Sequence, residues 1–195
     1  MPLNCLISHS YISKNLISIS LGLSSLILIA QPAFSAEKVK LIYGPFNGKI
    51  SVESLEKYAA TGEMTQELRM YSKFLKKEDL IQLKYWLSNR FESDRVEMYQ
   101  FTNTPEGEKF LQELGTAIKT HPQRNGFYAI RSSLIGAADN PDQSDGWTVI
   151  EAMYKFPTED LQINTKELFE LSKFWSADKQ KNQAALDMFA PKAKK

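Results

Sequence analysis

Residues 121–139, HPQRNGFYAIRSSLIGAAD, gather the residue types of an acyl-transfer site: the only histidine beyond the first nine residues, an arginine, two adjacent serines and a closing aspartate. A serine nucleophile needs a base within hydrogen-bond reach, and a third group that holds the base in turn. The spacing does not deliver this. On a helix over 126–138, Phe127, Ile130, Leu134 and Ala138 share one face, Arg131 borders it, and Ser132 and Ser133 point about 100° apart. His121 precedes that helix, is followed by Pro122, and is returned to neither serine by any feature of the sequence. The expectation is a packing face. Arg131 reads as a snorkelling or carboxylate-paired arginine, with contact to a ligand or partner as its alternative role.

Other chemical signatures fail in the same concrete way. No G-x-S-x-G pentapeptide occurs, so no nucleophile elbow can thrust a serine off a strand-to-helix turn. A phosphate-cradling glycine loop, a dinucleotide fingerprint and an H-E-x-x-H zinc helix are also missing from the sequence. The acidic loop DNPDQSDG, 139–146, reads as a solvated turn, because placing Gly146 at the sixth position of a calcium loop makes Pro141 its first ligand. No catalytic residue, metal or cofactor is expected. Tyr43 and Phe46, at the tip of the opening hairpin, read first as local packing, and as the candidate contact residues beside Arg131 if exposed, since exposed aromatics on such a tip suit a partner surface.

The segments that position these residues follow an apolar leader. Lys14 is the sole charged residue before the uncharged run Leu16–Ala30, and QPAFSAEK offers small residues at Ala33 and Ser35, the pattern of a secretory signal peptide cleaved after Ser35. An uncleaved anchor is the alternative, though the run falls short of the roughly 20 apolar residues that span a bilayer. Cleavage leaves 160 of the 195 residues, with 23 basic and 23 acidic side chains and no cysteine. That length suits one domain. A balanced charge argues against nucleic acid, which calls for a basic stripe, and the loss of Cys5 removes disulfides and thiolate chemistry. The expected destination is the periplasm or the extracellular space.

Within 36–176 the pattern is helical, with a small sheet. Val39, Leu41 and Tyr43 alternate with polar neighbours, and Gly44, Pro45, Asn47 and Gly48 supply the turn of a hairpin over 39–51. Ser51 and Thr65 are N-caps, Gly62 ends the first helix, and Leu80, Leu83, Leu87 and Phe91 form a stripe on the third. Asp94 with Glu97 is a capping pair, and Thr104 with Pro105 opens a helix through 119 whose Gly107 and Gly115 imply a close neighbour. A helix near 147–156 precedes a strand near 161–164, the expected third partner of the hairpin, and Asn164 with Glu167 caps the last helix. Residues 177–195 read as a polar, lysine-rich, fraying helical tail, with a docking segment as the alternative. The fold class is α+β, mainly α: six or seven short helices with a two- or three-stranded sheet.

LIYGPFNGKISVESLEKYAATGEMTQELRMY, TPEGEKFLQELGTAI, NGFYAIRSSLIGAA and the FPT…LQINTKELFEL ending, in this order, resemble the amino-terminal region of a cyanobacterial family of exported proteins known as alpha/beta hydrolases of unknown function. In its longer members this region precedes a hydrolase domain, and the present chain ends before one. The resemblance therefore implies a free-standing helical accessory domain and carries over no catalytic residue. Its expected role is non-catalytic contact with an unidentified protein, docking on or regulating a hydrolase. The alternatives are a small esterase built on Asp, Glu or Tyr side chains in a cleft, and a membrane-surface protein using an uncleaved anchor with Lys192, Lys194 and Lys195.

Overall fold

The computed structural model describes residues 36–44, 46–120, 124–139, 146–159, 161–177 and 183–189. The leader, His121 and the centre of the acidic loop lie outside them, as do the three terminal lysines. The class is α+β and mainly helical.

The hairpin forms as the alternation requires. β1 (Lys38–Tyr43) pairs antiparallel with β2 (Phe46–Ser51), and Val39 faces Ile50 across the ladder. β7 (Leu161–Asn164) joins β1 from the other side in parallel, with Val39 opposite Leu161 and Leu41 opposite Ile163. Because side chains alternate along a strand, Val39, Leu41, Ile50, Leu161 and Ile163 line one apolar face, and all are buried. The sheet is larger than expected. β4 (Ile118–Thr120) adds antiparallel to β7, and β5 (Arg124–Asn125) adds to β4, giving five strands in the order β2-β1-β7-β4-β5. The helix expected to run through 119 ends instead at Ala117, where β-branched Ile118 turns extended and Gly126 donates its N–H to the Ile118 carbonyl at 3.1 Å.

The helices start where their caps stand. α1 (Val52–Thr61) opens on Ser51 and closes at Gly62, whose φ of 77° permits the left-handed turn and whose N–H reaches the Tyr58 carbonyl at 2.9 Å. Thr65 caps α2 (Gln66–Ser72), which stops three residues short of the expected Leu75. α3 (Lys77–Ser88) carries the Leu80, Leu83 and Leu87 stripe, but Phe91 leaves it for a strand: β3 (Arg90–Phe91) pairs with β6 (Trp147–Thr148) in a separate ribbon. α4 (Arg95–Thr102) has the Asp94–Glu97 capping box, and α5 (Pro105–Ala117) begins on Thr104. Both glycines of α5 do meet close neighbours. An added Cβ at Gly107 would lie 1.9 Å from the Phe101 carbonyl oxygen, and one at Gly115 would lie 2.0 Å from Asn125 Oδ1.

α6 (Phe127–Ala138), α7 (Val149–Tyr154) and α8 (Thr165–Ala177) complete the body. Thr148 and Glu151 cap α7 reciprocally, and Asn164 Oδ1 accepts the Glu167 N–H at 3.3 Å at the start of α8. Within the tail beyond Ala177, the described residues are 183–189. α9 (Gln183–Met188) is followed by Phe189, whose ring packs among Phe91, Phe101, Phe110 and Trp147.

Candidate functional site

α6 separates its two serines as its period demands. Ser132 is exposed, and Ser133 is buried with its hydroxyl donating to the Ala152 carbonyl of α7. A hydroxyl spent on a carbonyl, as that of Ser133 is, is not paired with a base that could take its proton. Arg131 is drawn into the protein. Its Nη2 donates to the Thr102 carbonyl at 2.7 Å and pairs with Glu108 at 3.3 Å, and its guanidinium sits 4.5 Å from the Phe127 ring centroid. One side chain thus ties the end of α4 and the first turn of α5 to α6. Arg131 Nε is buried without a hydrogen-bond partner among the described residues.

Two of the three candidate contact residues are neighbours across the hairpin turn. Tyr43 closes β1, half-buried, and its Cα partner across the turn is Phe46, whose side chain lies outside the described ones. Among the described residues, Arg131 meets Thr102, Glu108 and Phe127.

A polar cluster unseen in the sequence forms at the start of α1. Glu67 Oε2 accepts from the Ser51 N–H at 3.0 Å, the Ser51 hydroxyl at 3.0 Å and the Ser54 hydroxyl at 3.1 Å, and the two hydroxyl oxygens lie 2.7 Å apart. The Ser51 N–H is the main reason the Glu67 carboxyl is held below the usual glutamate range. The two hydroxyls and the positive field of Lys38 act in the same sense, against the opposing pull of desolvation. Such a carboxylate is a weak base, and the hydroxyls are already donors to it. The chemistry is that of a clasp, joining the cap of α1 to α2. A second tie runs from the Tyr154 hydroxyl to Glu56 Oε2 at 2.9 Å. Burial, that bond and the charges of Glu56 and Glu53 push the phenol up to about 12. A phenol so shifted stays protonated at neutral pH and well above it. Among the described residues, no group of three histidine, cysteine or acidic side chains could hold a metal ion.

The feature left over is apolar and exposed. α3 buries Leu87 and half-buries Leu80 and Leu83, while Ile81 and Tyr85, four residues apart on another face, are 62% and 51% exposed. Trp86 stands edge-on to Tyr85 with ring centroids 5.9 Å apart. Met70 and Phe74, also four residues apart, are exposed just before this helix. Of the eight exposed large hydrophobic residues among the described ones, five therefore fall within 70–86, and Val96, Tyr99 and Tyr128 are the others. Single exposed apolar residues need no explanation, but a concentration of them marks an interaction site. Periodicity could reveal the inward stripe of α3, but it could not say that a second apolar row is left uncovered.

Fold and surface together define a mainly helical α+β domain whose polar clusters are internal ties and whose open feature is an apolar helical face. The chain belongs to the family described as alpha/beta hydrolase of unknown function (DUF1400), whose model matches residues 35–164. No curated protein and no solved structure matches the chain.

Proposed function

We propose that this is an exported accessory domain that works by contact with another protein, with a hydrolase as the partner, rather than by turning over a substrate of its own. The observation that carries the reading is α3 with the segment before it, where Met70, Phe74, Ile81, Tyr85 and Trp86 are each more than a third exposed. Aromatic and methionine side chains are the types enriched where proteins meet. The family description supports the choice of a hydrolase, and the leader pattern over 1–35 supports export. Among the described residues no helix is long and apolar enough to cross a membrane.

The test is comparative retention. The immobilised chain and its Ile81→Asp/Tyr85→Asp variant are exposed to the same exported protein fraction, and ester hydrolysis is measured on what each retains. The wild-type chain is expected to hold a hydrolase that the variant releases. Equal retention by both chains, or ester turnover by the pure chain that Ser51→Ala abolishes, would overturn the proposal.

A further inference from the structure

The last described residues fill a cradle of rings. Phe189 stacks on Phe110 with centroids 5.0 Å apart, and meets Phe91, Trp147 and Phe101 edge-on at 5.8, 6.0 and 6.3 Å. These four rings come from β3, β6, α4 and α5, and each is at least nine-tenths buried with Phe189 in place. Trp147 is fixed from behind by its indole N–H, which lies 3.1 Å from both the Ser93 carbonyl and the Ser93 hydroxyl. The cradle is thus built by the body of the domain and completed by one inserted ring.

The segment that brings this ring is weakly self-supporting. α9 has six residues, far fewer than the dozen or so an isolated helix needs to persist in water. Its described hydrogen bonds close on itself: Gln183 Nε2 donates to Asp187 Oδ1 at 2.6 Å, and the Phe189 N–H to the Ala185 carbonyl at 3.1 Å. Ala185, Met188 and Phe189 pack against the core, at positions i, i+3 and i+4, while Gln183 and Asp187 face solvent. The attachment is therefore apolar side-chain packing around one aromatic anchor. This is the form of a helix-in-groove ligand.

We propose that Phe91, Phe101, Phe110 and Trp147 form a docking site for an aromatic-anchored helix, and that residues 183–189 are its exchangeable occupant in the same chain. The partner that fits is a short amphipathic helix with an aromatic residue preceded by apolar residues one and four positions earlier. Tethering gives the resident segment an effective concentration in the millimolar range, so an outside helix enters only when the resident ring is released or outcompeted.

A labelled peptide of residues 183–195 serves as the probe for the full chain. It is expected to bind the Phe189→Ala chain at least about tenfold more tightly than the wild-type chain, the tethered ring being the competitor. The same peptide with its own phenylalanine changed to alanine should bind neither. Should Phe189→Ala fail to fold, native-state hydrogen exchange on the wild-type chain decides: amides of 183–189 should exchange through a local opening while those of 105–117 await global unfolding. Equal or absent peptide binding by the two folded chains, or exchange of 183–189 only with 105–117, would overturn the proposal.

Discussion

Alanine at Gly107 sets a favourable local effect against an unfavourable tertiary one. Within a helix the change from glycine to alanine gains about 1 kcal/mol of backbone propensity. At this site the new methyl would stand 1.9 Å from the Phe101 carbonyl oxygen, 2.7 Å from its carbon and 3.1 Å from Thr102 Cα. All three are backbone atoms at the end of α4, so no side chain can swing aside, and overpacking of this kind costs about 3 kcal/mol or more. The expected balance is a loss of about 2 kcal/mol, which for a domain of this size lowers Tm by about 4–8 °C. Gly136→Ala is the internal comparison, because the atoms nearest its methyl are Lys155 Cβ, Cγ and Cδ at an ordinary 3.4, 3.6 and 3.8 Å, and the helix propensity gain should survive there. Thermal and urea unfolding of both variants checks the pair. A Gly107→Ala chain as stable as wild type would refute the close approach of α4 and α5.

Glu67→Gln should loosen the clasp at Ser51 and Ser54 by about 1 kcal/mol, discounted for the exposure of the carboxylate. Since the folded carboxyl titrates below its usual range, wild type should hold this stability above that range and lose it as pH falls through the folded value, while the variant shows a flatter acid limb in urea melts. Tyr154, pushed up to about 12, should remain protonated when ordinary tyrosines ionise near 10, and Glu56→Gln should lower its titration in ultraviolet difference spectra. Its contribution to stability is full below pH 10 and fades as pH rises toward 12. Ser133→Ala should cost about 1–2 kcal/mol in urea melts by leaving the buried Ala152 carbonyl short of a donor.

Much of this fold was legible because its signals are local. Ser51, Thr65, Asp94, Thr104 and Asn164 each place a side-chain acceptor over the first N–H groups of a helix, a decision made within four residues of chain. The alternation over 39–43 and the short run at 161–164 gave three strands for the same reason. β4 and β5 escaped because Ile118–Thr120 continues a helical period and becomes extended only through its ladder to β7. The Phe91–Trp147 ribbon joins residues more than fifty positions apart, and no spacing rule reaches that far. Phe189 was read as part of a polar tail, although Ala185, Met188 and Phe189 repeat at helical intervals amid the lysines.

The candidate site divides along the same line. The divergent directions of Ser132 and Ser133 followed from the 100° step of a helix, and a carboxylate partner for Arg131 was one of the readings open to a guanidinium at an apolar border. The identity of that partner, Glu108, depended on how α5 lies against α6. Glu67 reaches Ser51 across sixteen residues, and the exposed row of α3 is defined by what fails to cover it, so both required the assembled fold.

The central claim, that this domain acts by contact through its α3 face, is tested most directly by hydrogen exchange on the complex recovered from the exported fraction. The account predicts slowed exchange across 66–88 on binding, with none in the Ile81→Asp/Tyr85→Asp chain. Protection confined to other segments, with 66–88 unchanged, would contradict it.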